Sequence, residues 1–233
     1  MGASTCWHLA RRGLRVLGLE QGQIPNPEAS FAGLTRAIRL SYAEHPDYVP
    51  LLQGAYKYWE VLEEESGEEI LRLTGALYMG PPNGELLNGA TQSAKQHGLT
   101  HTLYTHRELQ ENWPQFQLPV SFEGLYEDKA GYLLSERAVE AFVAEARKHG
   151  ADLRGGEMVT DWITTDSGVR VQTGNNEYSA QHLVIAAGAW TGKILQDVDL
   201  PLVVTRQVLG WVAPPSQDDF TSDKFPVPDG VGT

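Results

Sequence analysis

The sequence predicts an α/β fold, and three observations carry that expectation. Stretches with apolar residues at spacings of three and four alternate with short apolar runs of strand character. Glycine closes the helical stretches at Gly13, Gly98 and Gly150, where a helix end needs a residue free to turn left-handed. The opening segment reads helix, glycine, strand, acid, which is the second half of a β-α-β unit. At 233 residues the chain has ample length for one large domain or two interleaved ones.

The elements follow in order. Gly2 to Arg12 is a helix, with Cys6, Leu9 and Ala10 on its buried face and Gly13 at its end. Leu14 to Glu20 is a short strand finishing in an acid, and 21–34 is a loop marked by Pro25, Pro27 and Gly33. Tyr48 to Glu65 is helical, with Leu51, Leu52, Ala55, Trp59 and Leu62 on one face. Leu71 to Met79 is a strand containing Gly75, followed by a Pro-Pro-Asn-Gly turn. Gly84 to His97 is a helix, Leu99 to Tyr104 a strand, and Thr105 to Asn112 a short helix before Pro114. The 125–134 segment holds a strand at Gly131–Tyr132–Leu133, and Ser135 caps a helix over 136–149. Strands are expected around 157–163, 169–173, 182–186 and 203–212. Pro228–Asp229–Gly230 reads as a turn with no strand after it, which suggests a truncated chain. The tryptophans read as core.

Bulk properties exclude several classes. A net charge of -12 repels phosphate backbones and argues against a nucleic-acid partner. No apolar run approaches the roughly 18–20 residues of a membrane span. Arg11 and Arg12 interrupt the place where a signal peptide keeps its apolar stretch. The single cysteine, Cys6, forms no intramolecular disulfide, which suits a reducing compartment. The expectation by elimination is a cytoplasmic protein. His97, His101 and His106 are not completed by an acid or a second ligand type at metal-site spacing, so no metal is expected.

Three features carry chemistry. Glu20, at the end of the second strand of a β-α-β unit and 18 positions after Gly2, stands where an acid can accept ribose hydroxyls, although acids are common at strand ends for other reasons. Arg36 and Arg39 stand three apart in a Thr-Arg-x-x-Arg-x-x-Tyr run. If the run is helical they share a face, and two guanidiniums on one face call for an anion such as a carboxylate. Surface salt bridges to the many acids of this chain satisfy the same spacing, and spacing alone leaves both readings open. The stretch 186–190, Ala-Ala-Gly-Ala-Trp, is small enough to let backbone pass close to a bulky cofactor or simply to pack tightly.

Taken in order, these segments resemble one family. The run 6–21 is similar to the first helix and second strand of the D-amino-acid-oxidase-like flavoproteins. The runs 33–42 and 48–51 resemble the branch of monomeric sarcosine oxidase, N-methyltryptophan oxidase and pipecolate oxidase. Gly131–Tyr132–Leu133, the 187–190 turn and 206–210 continue the likeness, which covers essentially the whole chain.

The resemblance implies a Rossmann-like FAD-binding domain interleaved with an antiparallel-sheet substrate domain, both incomplete. The expected ranges are 1–73 with 135–200 for the first and 74–134 with 201–233 for the second. It implies FAD-dependent oxidation of a secondary amino acid, such as sarcosine, to an imine, with oxygen reduced to hydrogen peroxide. An inactive remnant, or another amine or D-amino-acid oxidoreductase on the same scaffold, is the alternative. In the implied site Arg39 grips the substrate carboxylate and Arg36 sits beside the flavin ring. Gly2, Glu20, Gln21, Thr35, Val159, Ala187, Gly188 and Trp190 hold the cofactor. The partners are then a small amino-acid substrate and oxygen, on a protein that is monomeric when complete. The chain departs from the family pattern in three ways. It lacks the first strand and the first two fingerprint glycines. Phe31 and Ala32 stand where relatives carry histidine. The family's flavin-linking cysteine and its lysines fall past Thr233. The expectation is that this chain alone folds poorly and binds FAD weakly.

Overall fold

The computed structural model describes residues 1–195, 198 and 200–230. In chain order the elements are α1 (Gly2–Arg11), β1 (Leu17–Leu19), β2 (Thr35–Ile38), α2 (Tyr48–Ser66), β3 (Leu71–Leu73), β4 (Ala76–Gly80), α3 (Glu85–Gln96), β5 (Thr102–Tyr104), α4 (His106–Asn112), β6 (Glu123–Glu127) and β7 (Gly131–Leu134). They continue with α5 (Ser135–Lys148), β8 (Asp152–Arg154), β9 (Val159–Thr165), β10 (Gly168–Thr173), β11 (Glu177–Ala180), a 3-10 turn (Gly188–Trp190), α6 (Thr191–Ile194) and β12 (Val227–Gly230). They form two compact units: Met1–Leu34 with Ser135–Leu209, and Thr35–Leu134 with Gly210–Thr233.

In the first unit α1 packs on α5. Trp7 is fully buried and Ala10 nearly so, with the Trp7 ring 5.3 Å from that of Phe142. An aromatic side chain of that size contributes about 3–5 kcal/mol when buried. Ala138, Ala141, Phe142 and Ala146 recur at three and four residues along α5, so one apolar stripe meets α1. Gly13, just past α1, takes the left-handed conformation (φ 79°) that turns the chain into β1. β1 then pairs in parallel with β8, Leu17 opposite Asp152 and Leu19 opposite Arg154, so the carboxyl ends of both strands lie together. β9, β10 and β11 form an antiparallel meander.

The second unit holds two sheets. One has the order β2-β7-β3, antiparallel throughout. The other has the order β12-β4-β6-β5, with β12 parallel to β4. Every residue of β4 is buried, because both faces of the strand are covered. Tyr78 packs with Leu87, Ala90 and Leu125 on one side, and Leu77 and Met79 pack with Leu109 on the other. α2 ends at Gly67 in the left-handed region, whose N–H reaches the Glu63 carbonyl at 2.8 Å.

Several sequence expectations are corrected. The 35–42 run is not helical: Thr35–Ile38 is a strand because Leu134 to Gly131 of β7 offers it a ladder. The 71–79 strand is two strands in different sheets, divided at Gly75, whose φ of 76° breaks extended pairing. Residues 182–186 alternate in exposure as a strand does but form none, since no described strand lies beside them to complete a ladder. Residues 203–212 are exposed throughout and form no strand. Pro228–Gly230 is the end of a strand rather than a turn: the Gly75 carbonyl accepts the Val227 N–H at 3.0 Å and docks the segment on the edge of β4. An edge tolerates Pro228 because its missing N–H faces away from the ladder.

Smaller corrections concern single side chains. Trp7 and Ala10, rather than Cys6 and Leu9, are the buried residues of α1. Leu51 of α2 is 71 % exposed, while Leu62 is buried as expected and Val49 is buried with it. Ser135 does not serve α5 as a cap; its hydroxyl donates to the Phe31 carbonyl at 2.9 Å. Of the tryptophans only Trp7 is fully buried, and Trp211 is 66 % exposed. The segment 35–73 falls in the second unit rather than the first, because β2 and β3 both pair with β7. Residues 231–233 of the expected second domain lie outside the described residues. No helix among the described residues is long and apolar enough to cross a membrane.

Candidate active site

The sequence candidates divide between the units. Gly2, Glu20, Gln21, Val159, Ala187, Gly188 and Trp190 lie in the first, and Thr35, Arg36 and Arg39 in the second.

In the first unit Gly2 opens α1. No side chain caps that end, and the first turn carries no acid, so its early amides keep their partial positive charge. A Cβ added at Gly2 would stand 3.6 Å from the Ala186 Cβ, which brings the 186–190 stretch beside the helix start. Ala187 and Gly188 lead into the 3-10 turn, where the Trp190 N–H meets the Ala187 carbonyl at 3.0 Å. Gly188 has φ 54° and open space around it.

Glu20 follows directly on β1. Its backbone bonds the Arg154 carbonyl and the Glu157 N–H, both at 2.9 Å, continuing the β1–β8 pairing beyond the strands. Its Oε1 accepts the Gly22 N–H at 2.9 Å and the Asn26 amide at 3.1 Å. Gln21 is exposed. Val159, two residues past Glu157, begins β9 opposite Thr173 and is half-buried.

In the second unit Thr35 and Arg36 pair with Leu134 and Leu133 of β7. Thr35 is exposed, and the Arg36 Nη1 donates back to the Thr35 carbonyl at 2.7 Å. Arg39 stands just past the strand. Its Nε lies 3.1 Å from Asp229 Oδ2, its Nη2 3.9 Å from Glu44 Oε1, and its guanidinium 5.1 Å from the Tyr42 ring centre. The Asp229 contact is one of charge rather than of a formed hydrogen bond, since neither Nε nor Oδ2 meets hydrogen-bond geometry. Its side chain is 21 % exposed, so the charge is partly desolvated and attracts an anion more strongly than a surface arginine does.

Sequence reasoning missed the groups that hold this segment. Glu127, 1 % exposed at the end of β6, accepts the Leu40 and Ser41 N–H groups at 2.8 Å each. The buried Tyr78 hydroxyl donates to it at 3.2 Å. Burial, and then the adjacent Glu127 charge, push the Tyr78 phenol far above the ordinary tyrosine range. The Tyr42 carbonyl accepts the Ser93 hydroxyl at 2.6 Å, and Gly89 of α3 leaves room for the Ala43 backbone to pass. The only signal in the sequence is parity: Glu127 shares the inward face of β6 with Leu125. Asp229 gave no signal at all, because Pro-Asp-Gly reads as a turn.

A helix, a strand and a following acid, joined in sequence to a strand with one arginine on it and another just past its end, is the pattern of a nucleotide-cofactor oxidoreductase. The model of the FAD dependent oxidoreductase family matches residues 1–232, and the chain belongs to that family.

Within it, the chain is 38 % identical over 215 residues to the monomeric sarcosine oxidase of Streptomyces avermitilis, covering 92 % of this chain and 56 % of that one. It is 30 % identical over 211 residues to the N-methyl-L-tryptophan oxidase of Yersinia pestis, covering 91 % and 55 %. Among solved structures it is similar to NikD, an amino acid oxidase essential for nikkomycin biosynthesis. There the TM-score is 0.75 and the identity 26 %, over 84 % of this chain and 50 % of the other. The chain thus spans a little over half the length of the curated relatives it matches.

Proposed function

We propose that the chain is part of an FAD-dependent amine oxidase that acts on a secondary, N-methylated amino acid. The cofactor fits the first unit on three counts. The open start of α1 offers backbone amides to a pyrophosphate. Glu20, directly after β1, supplies a carboxylate for ribose hydroxyls. Small residues at 186–188 lie beside Gly2, with no bulk around Gly188 to block a close approach. Gln21, Val159, Ala187 and Trp190 belong to the same unit, and the resemblance assigns Thr35 and Arg36 to the flavin end. When bound, FAD would supply a two-electron acceptor for the amine, with oxygen as the final oxidant and peroxide as its product.

The observation that carries the substrate reading is the environment of Arg39. Its partly desolvated guanidinium already faces a carboxylate, that of Asp229, and rests over an aromatic ring. A planar fork suits the carboxylate of an amino acid in the same way. The role of Arg39 is therefore to bind and orient. It fixes the carboxylate end of the substrate so that the amine and its N-methyl group take one defined position. Arg36 contributes positive charge that is preorganised by its bond to the Thr35 carbonyl. The other named relative acts on an N-methylated amino acid too, which supports the substrate class.

The test is direct. The FAD-loaded oxidase of which this chain is part should form peroxide from N-methylglycine or a bulkier N-methyl amino acid. Arg39→Ala should raise KM by about a hundredfold, on the order of a lost charge-assisted pair, with bound flavin unchanged. No peroxide from any N-methyl amino acid, with flavin demonstrably bound, would overturn the proposal.

A further inference from the structure

We propose that Glu127 is the positioning residue that aims Arg39. The inference rests on the reading of Arg39 as the carboxylate grip. β2 ends at Ile38, the last residue paired to β7. Beyond it the backbone leaves the sheet and tightens, with the Tyr42 N–H on the Leu40 carbonyl at 2.7 Å. Leu40 and Ser41 are buried there, at 7 % and 0 % exposure, where an unpaired amide costs about 1–3 kcal/mol. Glu127 supplies the partner the sheet no longer offers. One of its oxygens takes each amide, and the Tyr78 hydroxyl completes the set.

Arg39 is thereby fixed on both sides. Its N-terminal neighbour is held by the ladder and its C-terminal neighbour by the carboxylate. The remaining freedom of the guanidinium lies in its own side-chain torsions, which the Tyr42 ring limits further. Two more anchors act downstream, Ser93 on the Tyr42 carbonyl and α3 against Ala43. They hold the loop but not the peptide next to Arg39. A carboxylate suits the clamp better than an amide of the same shape: two acceptor oxygens meet two parallel N–H donors, whereas a glutamine presents one oxygen and one NH2.

The experiment compares two probes on the FAD-loaded protein, N-methylglycine and the neutral N-methylglycinamide. Binding is read from the visible flavin spectrum. The Arg39 Nε–H resonance, assigned through Arg39→Lys, is followed in parallel. Glu127→Gln should weaken N-methylglycine about tenfold, leave the amide within twofold, and alter the Arg39 resonance. Glu127→Asp keeps the charge but reaches one amide at a time, and should weaken N-methylglycine about threefold. It decides by the same criterion if the glutamine variant does not fold. Equal weakening of both probes, or unchanged binding of N-methylglycine, overturns the positioning role. If the wild-type Arg39 resonance ignores N-methylglycine while the flavin spectrum responds, the carboxylate-grip reading itself fails.

Discussion

Gly131→Ala is the substitution on which the fold can be tested hardest. Gly131 lies at the junction of three strands, opposite Ile38 of β2 and Leu73 of β3. A Cβ there would run into the Arg72 carbonyl oxygen and stand 2.9 Å from the Leu73 Cα. Both obstacles are backbone, so no rotamer change relieves them, and β3 must part from β7. The β3 ladder runs over three residue pairs. Three antiparallel pairs hold about two to four hydrogen bonds, so at about 1 kcal/mol net per bond losing them costs about 3 kcal/mol. For a chain of this size that is a fall in Tm of about 6–12 °C.

Two other glycines calibrate the measurement. Gly98→Ala meets nothing within 4 Å but sits at φ 61°, so it should cost about 1–2 kcal/mol in strain alone. Gly54→Ala, inside α2 with open space around it, should stabilise by up to about 1 kcal/mol. Thermal unfolding followed by circular dichroism, at one fixed FAD concentration, ranks the three. If Gly131→Ala costs no more than Gly98→Ala, the close approach of β3 to β7 is refuted.

Asp229 competes with any incoming carboxylate for Arg39. With both side chains less than a third exposed, the pair is worth about 1 kcal/mol. Asp229→Ala should therefore tighten acetate or N-methylglycine about fivefold by calorimetric titration; weaker binding would mean that Asp229 orients Arg39 instead of occupying it. Two phenols, the buried Tyr78 and the half-buried Tyr56, give an alkaline signature. Tyr78 and Tyr56 are pushed above the ordinary range, chiefly by burial and next by Glu127. The folded state then keeps protons that the unfolded chain releases above pH about 10, so stability is full below that pH and falls as pH rises beyond it. In an ultraviolet titration two of the nine tyrosines, Tyr56 and Tyr78, should ionise only as the protein unfolds. Their appearance near pH 10 in the folded protein would contradict the burial.

Helices were the legible part of the sequence. α2, α3, α4 and α5 lie within a residue or two of their expected bounds, because a 3.6-residue stripe closed by glycine is local information. Strands were legible only where a turn isolated them. Residues 182–186 and 228–230 show why: one has strand character without a partner, and the other has turn chemistry but meets an open strand edge. Ladder partners far along the chain decide both cases, and no window of sequence contains them. The same holds for the candidate site. Glu20 was legible from its place after a strand. Glu127 was not, since its role depends on amides 86 and 87 residues away in the chain.

The strand at 35–38 also changes what the two arginines mean. On a helix, a spacing of three would stack both guanidiniums on one face, and their repulsion would be the argument for an anion between them. Here only Arg36 lies on the paired strand, on the face of the buried Ile38, and it bonds back to the Thr35 carbonyl. Arg39 stands past the strand end, where Asp229, Glu44 and Tyr42 meet it. Repulsion between the pair therefore calls for no anion. Arg39 alone attracts one: its guanidinium is partly withdrawn from water, flanked by clamped backbone, and already within 3.1 Å of a carboxylate. A substitution at Arg36 should consequently leave carboxylate affinity intact, whereas one at Arg39 or Glu127 should not. That division of effects would be unexpected if the two arginines shared one anion.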